Sequence, residues 1–178
     1  MRTSYHWLVF AASNILLLAL VAMVNDGLAG WSVSLFIAGP CVILPALRLP
    51  TGQLLACLAL SGLAADAQLP TPPGFLMSLF VVGAFFVLSV RPWLGRVRRT
   101  PQIGLAWLLN ALYFAAFTGW ALARNQAGGA AFWEHAAVDF CLSQFIIFPV
   151  ALWFFDFQNS VLSLAGLTVE PRRGADAF

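Results

Sequence analysis

Residues 75–99 read FLMSLFVVGAFFVLSVRPWLGRVRR. Sixteen residues without a charge, 75–90, run into Arg91 and Pro92, and Arg96, Arg98 and Arg99 follow at once. A proline pushes the residue before it out of the helical region, so a helix over about 75–90 ends where the arginines begin. A hydrocarbon core of about 30 Å takes roughly 20 apolar residues of helix. The stretch therefore predicts a membrane-crossing helix that emerges on the side where positive charge collects.

Working outward, the same pattern recurs. Upstream, an apolar run over about 51–65 closes at Asp66 and at the turn-rich stretch Leu69, Pro70, Thr71, Pro72, Pro73, Gly74, a proline cluster that cannot be helical. Before it, a second segment over about 31–47 contains Pro40 and Pro45, each of which removes a helical hydrogen bond, so this helix should kink or end early. The first segment, about 7–24, ends at the turn Asn25, Asp26, Gly27; its run of about 18 apolar residues exceeds a signal-peptide core, and it reads as a retained helix. Downstream, about 103–122 and 136–155 are separated by Arg124, Asn125, Gly128 and Gly129. The expected fold is all-α, a single domain over 1–178 made of six transmembrane helices, with a short C-terminal tail.

Charge distribution sets the topology. All nine basic residues are arginines; Arg2, Arg48, Arg91, Arg96, Arg98, Arg99, Arg172 and Arg173 fall on one side of the six segments and Arg124 on the other. The positive-inside bias then places both termini in the cytoplasm. Trp7, Trp31, Trp93, Trp107, Trp120, Trp133 and Trp153 fall at or near segment ends, where amphipathic rings favour the interface. With 61% apolar and 9% charged residues and a mean hydropathy of +0.87, the chain lies far from the roughly 25% charged residues of soluble domains. An extramembrane domain does not fit, and nucleic-acid binding is not indicated.

Residues that could carry chemistry are few. Cys41, Cys57 and Cys141 lie inside apolar runs and read as small core residues. Asn14, Ser61, Asn110, Asp139 and Gln144 should face other helices, because an unpaired polar group in hydrocarbon is costly. Glu134, His135 and Asp139 cluster before and within the last segment, with His135 and Asp139 four apart; they suggest an interfacial polar group, with a metal, proton or intramembrane-enzyme role as the rival. No H-E-x-x-H and no G-x-S-x-G motif occurs. Asp66 follows Gly62 by one helical turn. The glycine would admit a neighbouring helix closely, and the carboxylate would either pin the Pro-rich turn through backbone N–H groups or sit solvated in the loop. Arg91, Arg96, Arg98 and Arg99 set topology, or dock a cytoplasmic partner or anionic lipid.

The block Gly62, Leu63, Ala64, Ala65, Asp66, then Gly74 and the run 75–80, resembles the bacterial rod shape-determining protein MreD family, which shows a similar G-x-x-x-D and a later glycine opening the next helix. The likeness extends through the arginine-bearing loop to the last helix, at Phe132, Trp133 and Pro149. The family's arginine–proline pair opening the second helix is replaced here by Gly39 and Pro40, so family roles carry over to Gly62, Asp66 and Gly74. The resemblance implies a non-enzymatic, cofactor-free scaffold subunit of the cell-elongation machinery in the bacterial inner membrane. Its partners would be an MreC-like bitopic protein, peptidoglycan synthases and, indirectly, actin-like MreB. The alternative is the substrate-binding membrane component of a vitamin-type energy-coupling transporter, with the kinked second helix and the Asp66 turn lining an outward-facing pocket.

Overall fold

The computed structural model describes residues 5–92, 99–125 and 129–164. Six α-helices account for nearly all of them: α1 His6–Leu28, α2 Pro40–Arg48, α3 Thr51–Asp66, α4 Phe75–Val90, α5 Arg99–Asn125 and α6 Ala130–Leu164, with a 3₁₀ turn at Ala29–Trp31. Three helical stretches, His6–Trp31, Thr100–Arg124 and Ala130–Leu164, are long and apolar enough to cross a membrane. At 16 residues each, α3 and α4 measure about 24 Å, and α2 is shorter still. Arg2, Trp93, Arg96, Arg98, Arg172 and Arg173 lie outside the described residues, as does most of the expected tail; Arg99 is the first residue of α5.

Several expected boundaries move. The first helix continues through Asn25, Asp26 and Gly27 to Leu28, and α5 and α6 both begin earlier and end later than the apolar runs suggest. The main correction concerns the second segment: residues 33–38 are extended and the helix begins at Pro40. Proline at the first helical position needs no N–H partner there and has its φ already set, so Pro40 starts α2 rather than kinking it.

Pro45, by contrast, stays inside α2. Lacking an N–H, it leaves the carbonyl of Cys41, four residues back, without its helical donor. Asn14 on α1 supplies the replacement, donating from Nδ2 to the Cys41 oxygen at 2.9 Å. The same amide donates to Ser61 Oγ on α3 at 3.1 Å, and Gln158 on α6 donates to Asn14 Oδ1 at 3.1 Å. One asparagine thus ties four helices at a fully buried point.

The nine-residue α2 is the centre of the bundle, with Pro40 through Ala46 all buried among Phe10, Leu58, Phe80, Leu109 and Phe154. The outside is apolar too: Leu16, Met23, Val82, Phe85, Trp107, Leu112, Phe145 and Trp153 are exposed. Asn14, Ser61, Asn110, Ser143 and Gln158 are instead fully buried. This inverts the distribution of a water-soluble domain, as expected of helices able to lie in a bilayer. Arg48 ends α2 half-buried.

The extended segment survives because side chains replace its missing ladder. Asn110 Oδ1 accepts from the N–H groups of Ala38 at 2.9 Å and Gly39 at 3.2 Å, while its Nδ2 donates to the Phe36 carbonyl at 2.9 Å. Gly39 leaves no room for a side chain, since a Cβ would fall on the Ala106 carbonyl and 2.9 Å from Asn110 N. Replacing Asn110 with leucine orphans three buried backbone groups, at about 1–3 kcal/mol each before relaxation. Asn110→Leu should therefore lower the unfolding free energy read from a mixed-micelle denaturant titration by at least about 3 kcal/mol, and far more than Trp107→Leu on the exposed face of the same helix.

Candidate functional site

Asp66 is the last residue of α3 and is 7% exposed. Its Oδ1 accepts from Leu76 N at 2.8 Å and from Thr71 Oγ1 at 3.1 Å. Its Oδ2 accepts from Gly74 N at 2.8 Å and, more weakly, from Met77 N at 3.4 Å. The first N–H groups of a helix have no partner within it, and a negative charge there meets the positive end of the helix dipole. The carboxylate therefore caps α4 from the preceding helix and, through Thr71, holds the proline-rich turn between them. It is not a solvated loop side chain.

Gly74 sits at φ 91°, a left-handed conformation that side chains rarely adopt. This turns the chain so that the N–H groups of Gly74, Leu76 and Met77 converge on Asp66. One turn before the carboxylate, a Cβ on Gly62 would collide with Met77 Cα and lie 2.8 Å from its N and 2.9 Å from its Cβ. Gly62, Asp66 and Gly74 are thus one construction: close approach, charge-assisted cap and turn at the end of the α3–α4 hairpin.

The other candidates disperse. Glu134 and His135 are exposed within the first turns of α6. Asp139 faces Ser34 instead, accepting from its N–H at 2.9 Å and its hydroxyl at 2.7 Å. Among the described residues no three His, Cys, Asp or Glu side chains are grouped to hold a metal. Cys41 and Cys57 are buried but Cys141 is exposed on α6, correcting its reading as a core residue. Gln144 is buried as expected, yet neither of its amide atoms has a partner among the described residues.

Two residues that carry the arrangement were not evident from sequence. Asn25, read as part of a turn, is helical and grips the Leu35 backbone from both sides, accepting from its N–H at 2.7 Å and donating to its carbonyl at 2.9 Å. Ser143 accepts from Phe36 N at 2.9 Å. The signal for both was Gly39–Pro40, a dipeptide that marks a chain break and so a demand for side-chain partners upstream. Beside this segment lies a cavity of about 110 Å³, walled by α1 from Leu18 to Asp26, by Leu35–Ala38, and by Ala65, Gln68, Leu69 and Leu76 around the Asp66 turn.

No protein-family model matches the chain, and neither a curated protein nor a solved structure matches it. The geometry of the hairpin and the cavity therefore stands as the basis for assigning a role.

Removing the carboxylate should loosen the hairpin. Asp66→Ala leaves buried N–H groups of α4 unpaired and should cost about 3 kcal/mol, whereas Asp66→Asn, which keeps one acceptor, should cost about half that. Gly62→Ala should cost about 1–3 kcal/mol by forcing the helices apart, and its effect should combine less than additively with Asp66→Ala, since both act on one contact. Unfolding midpoints in mixed micelles provide the check. An Asp66→Ala midpoint equal to wild type would show that the carboxylate does not hold the hairpin.

Proposed function

We propose that this chain is a multi-pass scaffold subunit of the bacterial inner membrane, resembling MreD, that binds partner transmembrane helices laterally and helps position peptidoglycan synthesis. The observation that carries the reading is the unit built by Gly62, Asp66 and Gly74. The three positions to which the family roles carry over meet at one point, at the end of the α3–α4 hairpin. That unit stiffens a hairpin whose outward faces are apolar, with Leu60 and Leu63 on α3 and Val82, Phe85 and Phe86 on α4 exposed. Such faces suit lateral contact with the single helix of a bitopic, MreC-like protein, where association rests on close packing.

In this reading all six segments cross the bilayer and both termini are cytoplasmic. The second crosses as a broken span: the six residues 33–38 at about 3.3 Å each and nine helical residues at about 1.5 Å each reach about 33 Å. Arg91 and the following Arg96, Arg98 and Arg99 then face the cytoplasm, where wall synthases and, indirectly, MreB could be engaged. The orientation has a direct test. Alkaline phosphatase fused within the turn 67–74 should be active and the same enzyme fused after residue 95 inactive; the reverse pattern would overturn the topology.

The cavity beside the Asp66 turn favours a second reading, the substrate-binding component of an energy-coupling transporter. Its volume of about 110 Å³ falls short of the roughly 300 Å³ at which pockets begin to enclose whole drug-sized ligands, so the scaffold reading ranks first. Mild crosslinking in native membranes, followed by purification and mass spectrometry, separates the two. An MreC-like protein or a wall synthase should travel with the wild type and be depleted by Phe85→Ala with Phe86→Ala, which leave the buried hairpin contacts intact. Recovery of an ATPase module in their place would move the protein to the transporter class, and recovery of neither would refute the scaffold role.

A further inference from the structure

Hydrogen bonds from Ser34 to Phe36 alternate in direction, and at the end of the segment Ala38 and Gly39 share one acceptor, Asn110 Oδ1. Ser34 and Phe36 turn their N–H groups to α6, onto Asp139 and Ser143, and the Phe36 carbonyl and Ala38 N–H go to Asn110 on α5. Leu35, between them, turns both its N–H and its carbonyl to Asn25 on α1. In extended backbone the N–H and C=O of one residue point to the same side, and residues two apart point alike. Continued through Ile37, the same alternation turns its N–H and carbonyl towards α1, the side that Leu35 faces.

Facing them, α1 offers Leu18, Val21 and Ala22, the turns before Asn25, whose side chains carry no polar atom. Ile37 is 4% exposed, yet among the described residues no group pairs with its N–H or its carbonyl. Well over nine in ten buried backbone groups are paired in folded proteins. The cavity of about 110 Å³ lies at this place, walled by the same α1 residues and by Leu35–Ala38. The exposed side chains of Asp26 and Gln68 mark its mouth.

We propose that this cavity is a binding site for a small neutral molecule with an amide-type head, such as a primary carboxamide, a lactam or a cyclic urea. The head accepts a hydrogen bond from Ile37 N–H and donates one to the Ile37 carbonyl. The neighbouring position already shows this mode of recognition, since the Asn25 carboxamide makes the same two bonds to Leu35. The walls demand a compact apolar body. A cavity of about 150 Å³ admits benzene, so one of about 110 Å³ takes a five-membered ring or smaller, with any further part of the molecule leaving past Asp26 and Gln68. The site is independent of the scaffold role, and its failure would leave the crosslinking experiment untouched.

The full-length protein in detergent micelles, labelled with ¹⁵N-isoleucine, provides the test. The Ile37 amide resonance is assigned by Ile37→Val, which keeps the backbone. Titration with 2-pyrrolidinone should shift that resonance saturably, with a dissociation constant on the order of 1 mM for so small a probe. Cyclopentanone has the same ring and carbonyl but no N–H, and should bind at least about tenfold more weakly. Ala22→Leu should fill the cavity and abolish the response. Absence of a saturable shift, as when water alone occupies the cavity, would overturn the proposal. So would equal responses to the two probes in wild type, a comparison that stands even if Ala22→Leu fails to fold, or an undiminished response in a folded Ala22→Leu protein.

Discussion

A stretch of non-helical backbone inside an apolar bundle must find protein partners for its N–H and carbonyl groups, because lipid provides none and each orphan costs several kcal/mol. Residues 32–39 are such a stretch, entering the bundle at Leu35, and the placement of polar side chains follows from them. Asn25, Asn110, Asp139 and Ser143 come from three different helices, and each bonds to the backbone of this segment. Asn14 answers the related demand created by Pro45 within α2. The polar residues of the interior thus serve mainly to hold one short helix and its lead-in at the centre, and the longer helices close around them.

The same demand recurs at the start of α4, where a buried helix terminus presents unpaired N–H groups. Here a carboxylate from the preceding helix meets it. A charged acceptor shared among three backbone donors and a hydroxyl forms stronger bonds than a neutral cap, and the short turn keeps it local. Gly62 makes this possible by letting the Met77 backbone approach. The two motifs differ in reach: Asp66 organises a hairpin of adjacent helices, whereas Asn110 and Asn14 join elements remote in sequence.

This difference explains what was legible in the sequence. The limits of α3 and α4 are written in proline, glycine and arginine at their ends, which act locally through φ restriction and helix termination. A role for Asp66 in pinning the turn followed from its position one turn after a glycine and just before a proline cluster. The second segment misled because an apolar run carries no period when all sides are buried, so Trp31–Gly39 looked as helical as Pro40–Leu47. The partners of the break, Asn25, Asn110 and Ser143, lie between about 10 and 107 positions away in the chain, and no local rule joins them. The exposure of Cys141 was hidden for the same reason, since in an apolar helix lipid-facing and core-facing residues share one alphabet.

An interior committed in this way constrains where function can reside. Asn14, Asn110 and Asp66 are buried and hydrogen-bonded to the fold, so using any of them in transport or catalysis would break bonds that hold the bundle. Two features are not committed in this way: the lateral apolar surface and the gap opposite Ile37, where the pairing of the extended segment lapses. A scaffold subunit needs the first of these: stiff helices with apolar flanks, whose geometry does not change when a partner helix packs against them. The fixed hairpin limits the conformational entropy lost on association, a cost that falls when surfaces are already ordered. The lapse at Ile37 is of another kind, because backbone groups that the fold leaves unpaired are free to pair with something else.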